Sequence, residues 1–294
     1  MKKTLLFLYV VGIGLLLLTC NACNQPTKTN SESTVEAAPV ESEPTVIAPK
    51  KSELVNINDT KIYYEVYGEG EPLVLLHGYT LSAQAWQPYV EDFYKDYEVY
   101  LIDLPGHGKS ELFKTDLNIP NVAKDFKALM DYLDLARFKT IGFSFGGDVL
   151  YQVAMQYPDL IESMITIGAV GSWDVNDFEN YQQAFTFENK DNFPWLVKYH
   201  QTDEKIMALM DQFKNYTVYI SNEELQQIKP EVLIMVGDND GGIVIDEIAR
   251  ARKHLPNSDL WILPNVSHGA HEGETKDDFV IKAKAFFTKA NKSE

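Results

Sequence analysis

Apolar and polar positions along this chain fall into two alternating rhythms. Ile62, Tyr64 and Val66 alternate with Lys61, Tyr63 and Glu65, which predicts a half-buried strand. Leu73 to Leu76 is wholly apolar, as in a central parallel strand covered on both faces. Glu98 to Ile102 is a third strand candidate, and a short run from Lys139 to Ile141 is a fourth. Between them Val122, Phe126, Leu129, Met130 and Leu133 recur at helical spacing. Val149, Leu150, Val153, Ala154 and Tyr157 mark a helix directly behind the fourth strand. Met164 to Ile167, Val232 to Val236 and Leu260 to Leu263 continue the strand series. Phe279, Val280, Ala283, Phe286 and Phe287 share one face of a closing helix. Strand and helix in alternation predict an α/β fold around a parallel sheet.

One stretch breaks this rhythm. From Gly171 to Lys229 no strand-like apolar run occurs, while eleven aromatics are scattered among polar residues. They are Trp173, Phe178, Tyr181, Phe185, Phe187, Phe193, Trp195, Tyr199, Phe213, Tyr216 and Tyr219. An insertion of this length is too long for a plain loop. It is expected to be a helical cap over the carboxyl edge of the sheet, with some aromatics forming its core and a few lining a pocket.

The chain start reads as an address. Lys2 and Lys3 precede an apolar run from Leu5 to Leu18, which suits a secretory signal better than a membrane span. The following Leu17-Leu18-Thr19-Cys20-Asn21-Ala22-Cys23 resembles a bacterial lipoprotein signal, in which a cysteine just after the cut is lipidated. Cys23, preceded by Ala22, is favoured over Cys20 as that site. Residues 1–22 are then a signal peptide. Residues 23–50, with four prolines, no aromatic and many Ser, Thr and Glu, are a disordered tether to the domain of residues 51–294. The expectation is an exported, membrane-anchored protein that meets the membrane only through its lipid.

Composition narrows the function. At 45% apolar and 23% charged, the chain is ordinary for a globular protein. Its formal charge of −17 opposes nucleic-acid binding, which needs clustered Lys and Arg. Both cysteines lie near the start, so the folded part has no disulfide, thiolate nucleophile or cysteine metal site.

The chemistry centres on Gly142-Phe143-Ser144-Phe145-Gly146, a G-x-S-x-G pattern. It follows a short strand and opens a helix, the setting in which a serine hydroxyl is held outward on a strained turn. Gly142 and Gly146 supply the lack of bulk this turn needs, and the helix N-terminus favours a developing anion. A serine nucleophile needs a base. His268, in the loop after Leu260–Leu263, would reach the same edge, with His271 as its rival. His200 and His254 read as partly exposed surface residues, and His77 as a structural hydrogen-bonding residue. The base needs a carboxylate to fix its tautomer. In Gly237-Asp238-Asn239-Asp240, after the Val232–Val236 strand, Asp240 is the choice and Asp238 the turn former. Oxyanion donors are expected from the N–H of Phe145 and, in the loop after Leu73–Leu76, the N–H of Tyr79.

Taken together, these features resemble the α/β-hydrolase superfamily over residues 53 to 290. The matching stretches are His77-Gly78, Asp103-Leu104-Pro105-Gly106-His107-Gly108-Lys109-Ser110, the Ser144 turn, Gly237 to Asp240 and Ser267-His268. The resemblance implies an eight-stranded, mostly parallel sheet with helices on both faces and a helical cap, residues 171–229, after strand six. It implies a serine hydrolase without cofactor, acting on a small to medium ester-type substrate, closest to the carboxylesterase-like members. Lactonases, carbon–carbon bond hydrolases, perhydrolases and aminopeptidases share the fold and stay open as alternatives, as does a non-catalytic ligand-binding relative. Ser144 argues against the dehalogenases and epoxide hydrolases, which carry Asp there. Gly106 to Ser110 mimics the end of a phosphate loop, but Asp103 stands where that loop needs glycine. His268 and His271 have ligand-like spacing without a third ligand, so no metal is expected.

Overall fold

The structure is a computed structural model and describes residues 47–173 and 183–290. Cys20, Cys23, the signal, most of the tether, Phe178 and Tyr181 lie outside the described residues. Eight strands form one sheet: β1 (Lys51–Ile57), β2 (Thr60–Tyr67), β3 (Glu71–Leu76), β4 (Tyr97–Asp103), β5 (Phe138–Phe143), β6 (Ile161–Ile167), β7 (Glu231–Gly237) and β8 (Ser258–Leu263). Their spatial order is β1-β2-β4-β3-β5-β6-β7-β8. β2 is antiparallel to both β1 and β4, and every other pairing is parallel.

The helices are α1 (Gln87–Phe93), α2 (Ile119–Tyr132), α3 (Phe145–Gln156), α4 (Trp195–Tyr199), α5 (Asp203–Gln212), α6 (Asn222–Leu225), α7 (Ile245–His254) and α8 (Lys276–Ala290). Alternate strand residues face opposite ways and build two cores. Val74, Leu76, Met164, Ile234 and Val236 pack with apolar residues of α2, α3 and α7. Leu73, Leu75, Ile141, Ile165, Leu233 and Met235 pack with those of α1 and α8. Central strands covered on both faces account for the nearly continuous apolar runs of β3 and β7. β2 is buried more fully than its alternation predicts, since Tyr63 and Tyr67 are buried along with Ile62, Tyr64 and Val66.

This order positions the site. From β3 the chain passes through α1 to β4 on one side, and then through α2 to β5 on the other. The segments leaving β3 and β5 therefore diverge at a topological switch point, where such sheets open a crevice at the strands' carboxyl ends. The insertion between β6 and β7 contributes α4, α5 and α6, and its only pairing with extended backbone among the described residues is the Ser172–Tyr219 bridge. Thr202 caps α5, its side chain accepting from Lys205 N–H, and Asp203 and Glu204 oppose the positive end of the helix. Phe185, Phe193, Phe213 and Tyr216 are buried, whereas Tyr219 is exposed. Among the described residues no helix is long and apolar enough to cross a membrane.

Candidate active site

Ser144 joins β5 to α3 with φ 50° and ψ −116°, a conformation L-residues rarely adopt. Its N–H donates to Ile167 O at 2.7 Å, which pins the turn to the end of β6. The neighbouring glycines are a steric necessity. A Cβ on Gly142 would stand 2.6 Å from Gly146 C, and one on Gly146 2.5 Å from Leu76 O. A Cβ on Gly147 would stand 2.6 Å from the Ala169 side chain.

His268 lies in the loop between β8 and α8. Its Nδ1 is 2.7 Å from Asp240 Oδ2, and the other Asp240 oxygen accepts from Gly242 N–H at 3.0 Å. Because a carboxylate only accepts, Nδ1 carries the hydrogen and Nε2 keeps its lone pair. The His268 side chain is one-third exposed and that of Asp240 almost wholly buried. The imidazole Cε1 lies 2.9 Å from where a Cβ on Gly168 would stand, and Gly168 follows the Ile167 that anchors Ser144. The two side chains thus border the same stretch of β6. Ser144 Oγ makes no hydrogen bond among the described residues, and such contacts are often long before substrate binds.

The rival histidines are placed elsewhere. His271 is buried between Trp86 and Phe143, ring centroids 5.0 and 4.7 Å away, and burial pushes its pKa down to about 3. His77 accepts from Leu104 N–H through Nε2 and approaches Gly78 O through Nδ1, the structural role read for it. His254 is partly exposed, as expected. His200 is not: it is 2% exposed and reaches from the cap to Thr80 O and Gly108 N. Asp238 is a turn former, accepting from Asn265 N–H at 2.5 Å.

Phe145 and the turn after β3 adjoin Ser144. Phe145 opens α3, so its N–H has no intrahelical acceptor. The turn after β3 is closed by Leu81 N–H donating to Gly78 O at 3.1 Å, with Tyr79 and Thr80 at its centre. A Cβ on Gly78 would be 2.9 Å from the Phe143 ring and 3.4 Å from Ser144 Cβ, so this turn runs directly against the serine. Tyr79 N–H enters no hydrogen bond among the described residues. The segment from Asp103 to Ser110 is a structural turn, in which the Asp103 carboxylate accepts from Ala83 and Lys109 N–H, each at 2.6 Å.

Sequence reasoning passed over Asp148, one helical turn beyond Ser144. It is buried, and its Oδ2 accepts from Tyr216 Oη at 2.5 Å and Trp173 Nε1 at 3.3 Å. Burial raises its pKa to about 7, against the opposing pull of those two donors and of His268. Trp173 in turn lies against His268, ring centroids 5.7 Å apart. The available signal was a lone acid in an otherwise apolar helix. Among the described residues, no three His, Cys, Asp or Glu side chains stand together as a metal site.

Strand order, the strained serine turn and the cap after β6 together define the α/β-hydrolase fold. Residues 71–194 match the family model described as the alpha/beta hydrolase fold. A 113-residue segment is 36% identical to an (E)-2-((N-methylformamido)methylene)succinate hydrolase of Acinetobacter baylyi, covering 38% of this chain and 43% of that protein. The chain thus spans less than half of that relative. Over 240 residues it is 24% identical to a pimeloyl-(acyl-carrier protein) methyl ester esterase of Nitrosomonas europaea, covering 70% of this chain and 92% of the esterase. The crystal structure of a carboxylesterase from Bacillus subtilis superposes with a TM-score of 0.69 at 19% identity, covering 81% of this chain and 91% of that one.

Proposed function

We propose that the protein is a serine hydrolase working by acyl transfer on ester-type substrates of small to medium size. The observation that carries this reading is the 2.7 Å contact between His268 Nδ1 and Asp240 beside the strained Ser144 turn. Ser144 Oγ attacks the carbonyl carbon while His268 Nε2 takes its proton, and Asp240 stabilises the resulting imidazolium. The negative oxygen receives hydrogen bonds from Phe145 and Tyr79 N–H. Collapse of the tetrahedral intermediate releases the alcohol, which leaves with the proton from His268. Water then attacks the acyl-enzyme, giving its proton to His268, and release of the acid returns that proton to Ser144 Oγ.

The aromatic cap favours an apolar acyl or alcohol portion. The net charge of −17 disfavours polyanions, and the esterase and hydrolase relatives agree with the reaction class. The protein is further proposed to be exported and anchored through Cys23 or Cys20. Incubation of the purified protein with a fluorophosphonate, followed by peptide mapping, tests the chemistry. An adduct on Ser144 that is lost in Ser144→Ala, together with hydrolysis of nitrophenyl esters graded by acyl length, is expected. Equal hydrolysis by Ser144→Ala would defeat the assignment.

A further inference from the structure

The turn after β3, which carries Tyr79 and runs against Ser144, is built against its own preference. Its third residue, Thr80, has φ 67°, the position of a hydrogen-bonded turn where glycine or asparagine is usual. A β-branched side chain is disfavoured there, so the conformation persists only if its surroundings hold it. Two cap side chains do so. Trp195 Nε1 donates to Thr80 Oγ1 at 3.0 Å, and His200 Nε2 lies 2.8 Å from Thr80 O.

The His200 hydrogen bonds fix its tautomer without ambiguity. Thr80 O can only accept, so Nε2 carries the hydrogen. Gly108 N–H can only donate, and it meets Nδ1 at 3.2 Å. Burial lowers the pKa of His200 to about 4, which keeps the ring in the neutral form this bridge requires. The imidazole thereby ties the turn after β3 to the turn after β4. The Tyr79 side chain is held by the cap as well, its hydroxyl donating to Leu209 O at 2.8 Å.

We propose that His200 and Trp195 are positioning residues for the oxyanion site, holding the Tyr79–Thr80 turn so that Tyr79 N–H faces the carbonyl oxygen of the substrate. This rests on the serine-hydrolase reading. It assigns the cap a part in the rate of the chemical step, beyond covering the substrate. If Thr80 is released, it can relax toward negative φ by turning over the Tyr79–Thr80 peptide, and the loosened turn no longer holds the adjoining Tyr79 N–H in place.

The test uses a pair of esters alike except that one is a thionoester, whose larger sulfur gains less from N–H donors placed for oxygen. The proteins are wild type, Trp195→Phe, His200→Gln and His200→Ala. Trp195→Phe keeps a ring without the N–H, and His200→Gln keeps an amide donor near the Nε2 position. Loss of one oxyanion donor typically costs about 10²–10³ in rate. His200→Ala is therefore expected to lower kcat for the oxoester by about 10-fold or more with KM within about twofold. Its thionoester rate should fall much less, so the oxo-to-thiono preference collapses. His200→Gln should recover part of that preference, and Trp195→Phe should lie between it and wild type.

Should His200→Ala fail to fold, the two conservative variants decide the matter. Folded variants that keep the wild-type preference, or that lose both rates by the same factor, would overturn the inference. A wild-type protein that takes up no fluorophosphonate and cleaves neither ester would instead fail the serine-hydrolase reading, and this inference with it.

Discussion

Replacing Asp148 by Asn should make the protein less sensitive to alkali. The side chain is fully enclosed, and burial raises its pKa from an ordinary 3.8 to about 7. Between those values the folded protein keeps a proton that the unfolded chain has lost. Stability from this group is therefore complete below about pH 4 and declines as pH rises through 7. Each pH unit in that window is worth about 1.4 kcal/mol, so wild type should lose about 3 kcal/mol relative to Asp148→Asn between pH 5 and pH 8. For a domain of this size that is a fall in Tm of about 5–10 °C. The amide oxygen of Asn can still accept from Tyr216 and Trp173. Its NH2 group takes the place of Asp148 Oδ1, which has no partner among the described residues, and this adds a cost independent of pH. His77, His107, His200 and His271, whose pKa values burial depresses, produce the opposite slope below about pH 6.5. They are common to both proteins and cancel in the comparison. Thermal unfolding of both proteins in matched buffers from pH 5 to 9 measures the effect. A Tm difference between variant and wild type that stays constant over that range would refute the reasoning.

Two further outcomes follow from the site geometry. Asp240→Asn should leave the fold intact but lower kcat by about 10³–10⁴, because an amide NH2 facing His268 favours the wrong tautomer; steady-state ester hydrolysis checks this, and a loss under tenfold would remove Asp240 from the mechanism. Gly146→Ala should cost about 1–3 kcal/mol or more by urea unfolding, since its new Cβ would stand 2.5 Å from backbone oxygen of Leu76, and an unchanged midpoint would contradict that close approach.

The parts of the fold legible in the sequence are those whose cause is local. β3 and β7 announce themselves because both faces are buried, and the Ser144 turn because three glycines crowd it. β1 was missed. It is an edge strand, largely exposed along Lys51–Ile57, so its order comes from pairing with β2 and not from an apolar pattern of its own. His200 reads as a surface residue in the sequence but is buried, for a related reason. Its partners, Thr80 and Gly108, lie 120 and 92 residues away, and nothing in the sequence around it signals a buried ring. Asp148 is read correctly only once the cap is seen, because Trp173 and Tyr216 supply its hydrogen bonds from the inserted segment.

The Ser172–Tyr219 bridge has a bearing on how such a protein can diversify. It brings the outgoing and returning ends of the insertion side by side, between two strands that are already neighbours. A segment whose ends adjoin can be lengthened, trimmed or exchanged at small cost in closure entropy, which grows only slowly with length. Ser144, Asp240 and His268 all lie outside it, so a transplanted cap would leave those three in place. It would, however, carry away the imidazole and indole that grip Thr80. On the mechanism proposed above, exchange of the cap is modular for substrate choice but not for rate, and a chimaera would need either a replacement brace or glycine at position 80, where the turn could hold itself.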